Sequence, residues 1–174
     1  MRPSHDHWPA QFQQAAGLGP TRKGGVRIVR RGSTIIETQG DIQMTKVFLT
    51  GASGFIAKHI LRELLEQGYE VRASVRSDKR KAELQGLFPA AALEFATLDL
   101  TRDDGWQEAL KGCDVLIHTA SPFPLTEPKD PQDLIRPAVD GTLRAMRAAK
   151  DAGIGRVILT SSCAAIYKQA NKPP

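Results

Sequence analysis

The sequence predicts an α/β fold built on a doubly wound parallel sheet of five strands in the order 3-2-1-4-5. From Lys46 onward, five short apolar runs alternate with stretches of helical period, and the connections between them are short. This alternation is typical of a parallel sheet that is covered by helices on both faces. Right-handed crossovers then produce the doubly wound order. The 174 residues, 41% of them hydrophobic, allow one domain with a sizeable core.

The five predicted strands are compact runs rich in apolar and β-branched side chains. They span Val47 to Thr50, Glu70 to Val75, Leu93 to Thr97, Val115 to His118 and Arg156 to Thr160. Ligands of open α/β sheets bind beyond the carboxyl ends of the strands, where the strand order reverses. The residues that follow strands 1, 2, 3 and 4 are therefore the first candidates for a site.

Four helices are predicted between these strands, and glycines mark their ends. They span Phe55 to Gln67, Asp78 to Gln85, Asp103 to Leu110 and Gln132 to Ala152. Gly68, Gly86, Gly112 and either Gly153 or Gly155 follow them as stop signals. The first helix carries an apolar stripe of Ile56, Ile60 and Leu64, with Leu61 and Leu65 beside it. The fourth helix carries a core face of Ile135, Val139, Thr142, Met146 and Ala149.

Residues 1 to 43 differ from the rest of the chain. They contain scattered glycine, proline and arginine without a sustained period, although Val26 to Val29 and Ile35 to Ile36 could be brief strands. Their apolar surface is too small to offset the entropy cost of ordering. We therefore expect a flexible extension at residues 1 to 43 and a domain at residues 44 to 174. Met44 as the true start of the protein is the alternative interpretation.

Composition and charge argue against several classes of function. Of the net charge of +5, residues 1 to 43 carry +3 and the periodic part carries only +2, so the charge does not predict nucleic-acid binding. Cys113 and Cys163 have neither disulfide-framework nor metal-ligand spacing, so no metal site is expected. No apolar run approaches the roughly 20 residues of a membrane span, and the first residues lack a secretory signal. A cytoplasmic protein is the simplest expectation.

The turn between the first strand and the first helix has the features of a phosphate-binding loop. Gly51 allows a tight turn, and Gly54 allows backbone to approach a diphosphate closely. Ala57 is small enough for close packing between helix and strand. The amides and the positive end of the helix dipole would face the phosphates. The turn in its strand-helix context predicts a dinucleotide-binding, Rossmann-like fold.

Arg76 favours NADP(H) over NAD(H) as the dinucleotide. An acidic residue at the end of strand 2 would bind the adenosine ribose of NAD, whereas the guanidinium of Arg76 suits a 2′-phosphate. Lys79, Arg80 and Lys81 follow, at least two of them as a solvated helix face. Asp78 is expected to cap the helix and to point away from the ribose. After strand 3, Asp99 and Leu100 either reach the adenine edge or, in the case of Asp99, cap the next helix.

Taken together, these motifs resemble the extended short-chain dehydrogenases/reductases, in the dihydroflavonol reductase-like and aldehyde or methylglyoxal reductase-like branch. The matching stretches are TGASGFIAKHI from Thr50, VRASVR from Val71, Asp99-Leu100, HTASPF from His118, DLIRPAVDGT from Asp133 and RVILTSSCAAIY from Arg156. They lie in the family's order and cover nearly all of the chain from Met44 to Tyr167. The first 43 residues resemble nothing in the family.

The resemblance implies roles for individual residues. It implies a pyrophosphate loop of Gly51, Ser53, Gly54, Phe55 and Ile56, and Arg76 as the 2′-phosphate ligand. It places Thr119, Ala120 and Ser121 along the nicotinamide ribose, with Pro122 and Phe123 opening toward the substrate. Ser162 matches the catalytic serine, whose hydroxyl would bind the substrate carbonyl oxygen, and its position after strand 5 suits that role. His118 and Cys163 have structural interpretations, as a buried histidine and a packing residue.

The chain departs from the family at its carboxyl end. The family's Y-x-x-x-K pair supplies a tyrosine that protonates the carbonyl oxygen and a lysine that lowers its pKa. Tyr167 comes too early and has no lysine four residues later. We therefore expect a C-terminally incomplete domain that lacks its general acid and substrate lobe and is inactive by itself. Its uncovered sheet edge predicts marginal stability or poor solubility.

The resulting functional expectation is an NADP(H)-dependent oxidoreductase that reduces an aldehyde or ketone to an alcohol. Two alternatives stay open: a nucleotide-sugar epimerase or dehydratase, which uses the same loop and serine, and a non-catalytic NADP(H)-binding module. The expected partner is a small carbonyl substrate, with no nucleic acid and no membrane. A homo-oligomer is left open.

Overall fold

The computed structural model describes residues 45–122, 128 and 130–163. The predicted extension with its two brief strands, the segment after Pro122 that begins with Phe123, and Tyr167 lie outside the described residues. The described part contains five strands, Lys46–Thr50 (β1), Glu70–Val75 (β2), Leu93–Thr97 (β3), Val115–His118 (β4) and Arg156–Leu159 (β5). They form one sheet in the order β3-β2-β1-β4-β5 with every pairing parallel, as predicted.

Within the described residues, four helices lie on the two faces of this sheet. They are Phe55–Glu66 (α1), Asp78–Leu87 (α2), Trp106–Leu110 (α3) and Gln132–Asp151 (α4). α1 packs against β1 and β2, and α2 packs against β2 and β3. α4 packs against β4 and α3. This arrangement is the predicted doubly wound α/β fold, and it leaves the carboxyl ends of the strands open.

The main core lies between the sheet and the α3–α4 layer. Phe48 of β1 and Leu116 of β4 are partners in register, and both are fully buried. They pack with Trp106 and Leu110 of α3 and with Ala145 of α4. Burial of side chains of this size stabilises the fold by about 1.5–3 kcal/mol each. The packed core anchors β1 and β4, whose ends form the centre of the open edge.

The predicted apolar face of α4 is wrong at its first two positions, whereas Ala149 is buried and Met146 packs against the core as predicted. Ile135 and Val139 are 47% and 49% exposed, whereas the buried residues are Gly141, Ala145, Ala148 and Ala149. A Cβ added at Gly141 would lie 3.1 Å from Leu100 Cβ. Because α4 lies this close to the loop after β3, its contact face is made of small residues. The larger residues Ile135 and Val139 lie on an exposed face of α4 instead.

The stripe predicted for α1 is wrong at its first position. Ile56 is 58% exposed, and the buried residues are Ala57, Leu61 and Leu64. In this first turn Ala57, which is 2% exposed, is the buried residue instead. The helical spacing was correct, but the buried stripe is centred one residue further along the chain.

Two helix boundaries also differ from expectation. α3 begins at Trp106 instead of Asp103 because Gly105 has a φ of 80°, which no helix interior accepts. α2 begins after Ser77, whose hydroxyl accepts a bond from the Arg80 amide, so Ser77 and not Asp78 is the cap. α2 then continues through Gly86 to Leu87.

The position of Gly86 inside α2 leads to a stability prediction. Gly86 is exposed, and a Cβ built on it meets no atom within 4 Å. Glycine costs about 0.5–1 kcal/mol relative to alanine in a helix interior. Gly86→Ala is therefore expected to raise the free energy of unfolding by about that amount, as measured by urea denaturation. An unchanged or lower midpoint would contradict the helical assignment at this position.

Candidate functional site

A cleft of about 390 Å³ lies at the carboxyl ends of the strands. Its walls are the turn after β1, the junction of β2 and α2, the loop after β3 and the turn after β4. Ten residues that were predicted for a site line it: Gly51, Ser53, Gly54, Arg76, Asp99, Leu100, Thr119, Ala120, Ser121 and Pro122. The topology thus brings together residues that are far apart in sequence.

The turn after β1 is held in place by backbone contacts and by one serine. The Gly51 amide donates to Ser74 Oγ at 3.1 Å, and the Ala52 amide donates to the Ser74 carbonyl at 3.1 Å. Gly51 has a φ of 64°, and a Cβ added there would lie 3.0 Å from both Ala120 Cα and Ala120 Cβ. Glycine is required at position 51 because of both the left-handed backbone and this close approach.

The start of α1 fits an anionic group. Gly54 precedes the helix without a side-chain cap, and the first turn contains no acidic residue. A Cβ at Gly54 would lie 3.2 Å from the Gly51 carbonyl oxygen, so the bare backbone keeps this turn compact. The first amides of a helix have no intrahelical acceptor and carry the positive end of the dipole. Backbone of this kind can bind a diphosphate without any charged side chain.

Phe55 and Ile56 do not line the cleft with their side chains. They are 80% and 58% exposed, and the Phe55 ring contacts His59 edge-on at 4.9 Å between centroids. Any role they have toward a diphosphate therefore belongs to their amides.

Two arginines stand where β2 ends and α2 begins. Arg76 follows the last residue of β2, Arg80 lies four residues later in the first turn of α2, and both line the cleft. Arg80 also pairs with Glu83 at 2.8 Å. The sequence did not single out Arg80 from its basic neighbours, because the choice depends on where α2 starts. Lys81 instead lies 5.6 Å from the centre of the Phe95 ring, away from the cleft.

The loop after β3 forms the wall opposite the glycine turn. Asp99 Oδ1 accepts bonds from the Thr101 amide at 2.8 Å and the Thr101 hydroxyl at 2.7 Å. Asp99 therefore closes a local turn and does not cap α3, which begins at Trp106. Leu98 and Trp106, which the sequence did not predict, supply apolar surface to the same wall. Their contribution depends on the fold of this loop.

The hydrogen bonds of Asp99 lead to a pH prediction. The Thr101 amide, then the Thr101 hydroxyl, and more weakly Arg76 and Arg102 lower the pKa of Asp99 below its ordinary value of 3.8, against an opposing effect of burial. Since the folded-state pKa is the lower one, the stabilisation is complete above the unfolded-state pKa and is lost as pH falls through the folded-state value. In Asp99→Asn, the free energy of unfolding is expected to decrease less steeply than in the wild type as the pH falls below about 4. Urea denaturation of both proteins from pH 6 to 3 measures this, and parallel curves would contradict it.

The turn after β4 is tied to β1 by Thr50. The Thr119 and Ala120 amides donate to Thr50 Oγ1 at 3.1 and 3.2 Å, and the Thr119 hydroxyl donates to the Thr50 carbonyl at 2.6 Å. Thr50 Oγ1 also lies 2.9 Å from His118 Nδ1. His118 is buried, as the sequence predicted, and its burial lowers the pKa of the imidazole.

Ser162 lies just beyond β5 and is not among the residues that line the cleft. β5 ends at Leu159, three residues before Ser162. The Thr160 amide still donates to the His118 carbonyl at 3.0 Å, so the β4–β5 pairing continues one residue beyond the strand. Cys163 is exposed, so its predicted packing role is wrong. It lies where the chain leaves the sheet, and none of the described elements covers it.

Two general features of the described residues bear on function. Within 45–122, 128 and 130–163, no three His, Cys, Asp or Glu side chains are grouped as metal ligands would be. None of the four helices has the length and hydropathy that crossing a membrane requires.

Known proteins that resemble this chain fall into one family and include several reductases. Residues 47–174 match the model of the NAD dependent epimerase/dehydratase family. Cinnamoyl-CoA reductase 1 of Petunia hybrida is 41% identical over 131 residues, which cover 74% of this chain and 38% of that protein. A putative NADPH-dependent methylglyoxal reductase of Candida albicans is 39% identical over 138 residues, which cover 73% of this chain and 40% of that protein.

A solved structure supports the same relationship. The yeast methylglyoxal/isovaleraldehyde reductase complexed with NADPH superposes with a TM-score of 0.63 at 34% identity. The match covers 70% of this chain and 38% of that one. The chain thus spans about two fifths of the length of the relatives that it matches. On the strength of its sheet order, its glycine turn and these matches, the chain belongs to the NAD dependent epimerase/dehydratase family, as an extended short-chain dehydrogenase/reductase.

Proposed function

We propose that this chain binds NADP(H) and forms the coenzyme-binding part of a reductase that converts an aldehyde or ketone to an alcohol. The observation that carries the proposal is the pair Arg76 and Arg80 at the end of β2, in one cleft with the Gly51–Gly54 turn. Guanidinium groups bind phosphate through charge-assisted hydrogen bonds. An NAD-binding site would need an acidic group there, and β2 is followed by Arg76 instead.

Each wall of the cleft has a part in this proposal. The amides at the start of α1 bind the diphosphate, and Arg76 and Arg80 bind the 2′-phosphate. Asp99 and Leu100 lie along the adenine, while Leu98 and Trp106 provide apolar surface beside it. Thr119, Ala120 and Ser121 lie along the nicotinamide ribose. The coenzyme would therefore cross the edge of the sheet from β3 to β4, over the point where the strand order reverses.

The proposed chemistry is hydride transfer to a carbonyl carbon. NADPH, when bound, would supply the hydride to the carbonyl carbon. The proton that completes the alcohol would come from solvent or from the tyrosine of the family's Y-x-x-x-K pair, for which these 174 residues have no match. The hydroxyl of Ser162 donates a hydrogen bond to the carbonyl oxygen, on which negative charge develops. The relatives' names support a reductase: a methylglyoxal reductase, a cinnamoyl-CoA reductase and a ketoreductase of Aspergillus niger are among them. We assign the coenzyme-binding domain to residues 44–174 and leave residues 1–43 outside it.

Titration calorimetry of the full chain tests the coenzyme assignment. We expect NADPH to bind at least about tenfold more tightly than NADH, because two guanidinium groups face the 2′-phosphate. Equal affinity for the two coenzymes would contradict the roles of the arginines. Heat from neither coenzyme would contradict the proposed function as a whole.

The type of reaction is tested separately, by an assay of NADPH oxidation with the protein isolated from its natural source. Net oxidation of NADPH on addition of an aldehyde or ketone is the expected result. Conversion of a nucleotide sugar without net consumption of coenzyme would support an epimerase or dehydratase instead.

A further inference from the structure

The end of β4 contains a buried polar pair to which the proposed function gives no role. His118 is 1% exposed and lies opposite Thr50, which is fully buried, in the β1–β4 register. Thr50 Oγ1 and His118 Nδ1 are 2.9 Å apart. A buried imidazole without a charged partner is costly unless its neutral form is well bonded. The question is which of the two atoms carries the shared proton.

The backbone amides around Thr50 answer this question. The amides of Thr119 and Ala120 both point at Thr50 Oγ1, at 3.1 and 3.2 Å, and amides can only donate. A hydroxyl oxygen has two acceptor positions and one proton. With both acceptor positions used, the Thr50 hydroxyl donates its proton to His118 Nδ1. His118 Nδ1 is therefore unprotonated.

The other ring nitrogen agrees with this assignment. A neutral imidazole with a bare Nδ1 carries its proton on Nε2. Nε2 is buried and has no hydrogen-bond partner among the described residues. The burial of the ring also lowers the pKa of His118, which keeps it neutral.

The bond at Nδ1 has consequences for the cleft. It directs the lone pairs of Thr50 Oγ1 at two successive amides of the turn after β4. The same turn passes so close to Gly51 that an added Cβ would lie 3.0 Å from Ala120 Cα. The hydroxyl of Thr50 therefore sets the spacing between the turn after β1 and the turn after β4, which lie side by side in the cleft.

We propose that His118 is a positioning residue, which accepts the Thr50 proton at Nδ1 and thereby holds the Thr119–Ser121 turn at the ribose end of the cleft. The proposal deepens the proposed function and rests on it, since the turn is assigned there to the nicotinamide ribose. His118 touches neither coenzyme nor substrate in this assignment. It acts through Thr50 and two backbone amides.

The protonation of His118 can be measured without any coenzyme. We expect nitrogen NMR of the full chain, labelled with ¹⁵N-histidine, to show one buried histidine with a bare Nδ1 and a protonated Nε2. Absence of its signal in His118→Asn assigns the resonance. A buried His118 with its proton on Nδ1 would overturn the proposal, whatever the coenzyme affinity.

Two matched variants test the positioning role. His118→Asn keeps an acceptor oxygen close to the position of Nδ1, and His118→Leu removes it at similar size. We expect His118→Leu to weaken NADPH binding about tenfold and His118→Asn to weaken it less than about threefold, because one hydrogen bond is lost or kept. Binding of 2′,5′-ADP, which occupies only the adenine end, is expected to stay within about twofold of the wild-type value in both.

The outcomes separate a positioning role from a general defect. Equal weakening of NADPH and 2′,5′-ADP in His118→Leu, or unchanged binding of both, would overturn the proposal. If His118→Leu does not fold, Thr50→Val against Thr50→Ser makes the same comparison, because serine keeps the hydroxyl. If the wild-type chain binds neither ligand, the proposed function fails and the protonation measurement still tests the Thr50–His118 bond.

Discussion

Gly51→Ala is expected to lower the free energy of unfolding by about 3 kcal/mol and to abolish measurable coenzyme binding. About 1 kcal/mol comes from the left-handed backbone, which has a φ of 64°. About 2 kcal/mol more comes from overpacking, since the new Cβ would lie 3.0 Å from Ala120 Cα, a backbone atom that cannot rotate away. Relief of this contact requires the turn after β4 to move, and that movement distorts the cleft.

Gly112→Ala is the matched control for this variant. Gly112 has a φ of 74°, but a Cβ built there meets no atom within 4 Å. We therefore expect Gly112→Ala to cost about 1 kcal/mol and to leave coenzyme affinity unchanged. Urea denaturation and calorimetric titration of both variants measure the difference. Equal destabilisation by the two substitutions would show that the contact with Ala120 has no energetic consequence.

Replacement of Arg76 and Arg80 together by alanine is expected to weaken NADPH binding by more than about a hundredfold. A hydrogen bond to a charged group contributes about 1.5–3 kcal/mol, and a factor of ten in affinity corresponds to about 1.4 kcal/mol. NADH lacks the 2′-phosphate, so its affinity is expected to change by less than about threefold. The single variant Arg76→Ala is expected to show at least about a tenfold loss for NADPH.

Lys79→Ala is the control for the removal of positive charge. Lys79 is exposed on α2 between the two arginines in sequence, and it does not line the cleft. An exposed charge of this kind contributes at most about 1 kcal/mol. Its removal should leave the preference for NADPH over NADH intact. A loss of preference in Lys79→Ala as large as in Arg76→Ala would mean that the general positive field, and not a specific pair, selects the coenzyme.

Local sequence pattern was sufficient for the strands and their order. The bounds of β2, β3 and β4 match the prediction, and β1 and β5 differ from it by one residue. Each strand is a short apolar run between turn residues, and in a sheet covered on both faces such a run has few alternatives. The glycine turn was equally predictable, because its backbone requirements exclude other residues at Gly51.

The faces of the helices were predicted less well because they depend on neighbours. The hydrophobic period of α4 indicated a core face through Ile135 and Val139, yet the small residues Gly141 and Ala145 are buried. Close packing against Leu100 and α3 decided this, and neither contact is visible in the period of α4 itself. In the same way, Arg80 reaches the cleft only because α2 starts after Ser77.

The amino-acid order alone therefore predicted the strands, their order and the glycine turn after β1, since these follow from propensities and spacings within a few residues. Contacts over long sequence distances settled the rest. Thr50 and His118 are 68 residues apart, and the proton between them is assigned only when two amides of the β4 turn are also in place. Hydrogen bonds are directional over about 3 Å, so the geometry of such a group exists only in the folded chain.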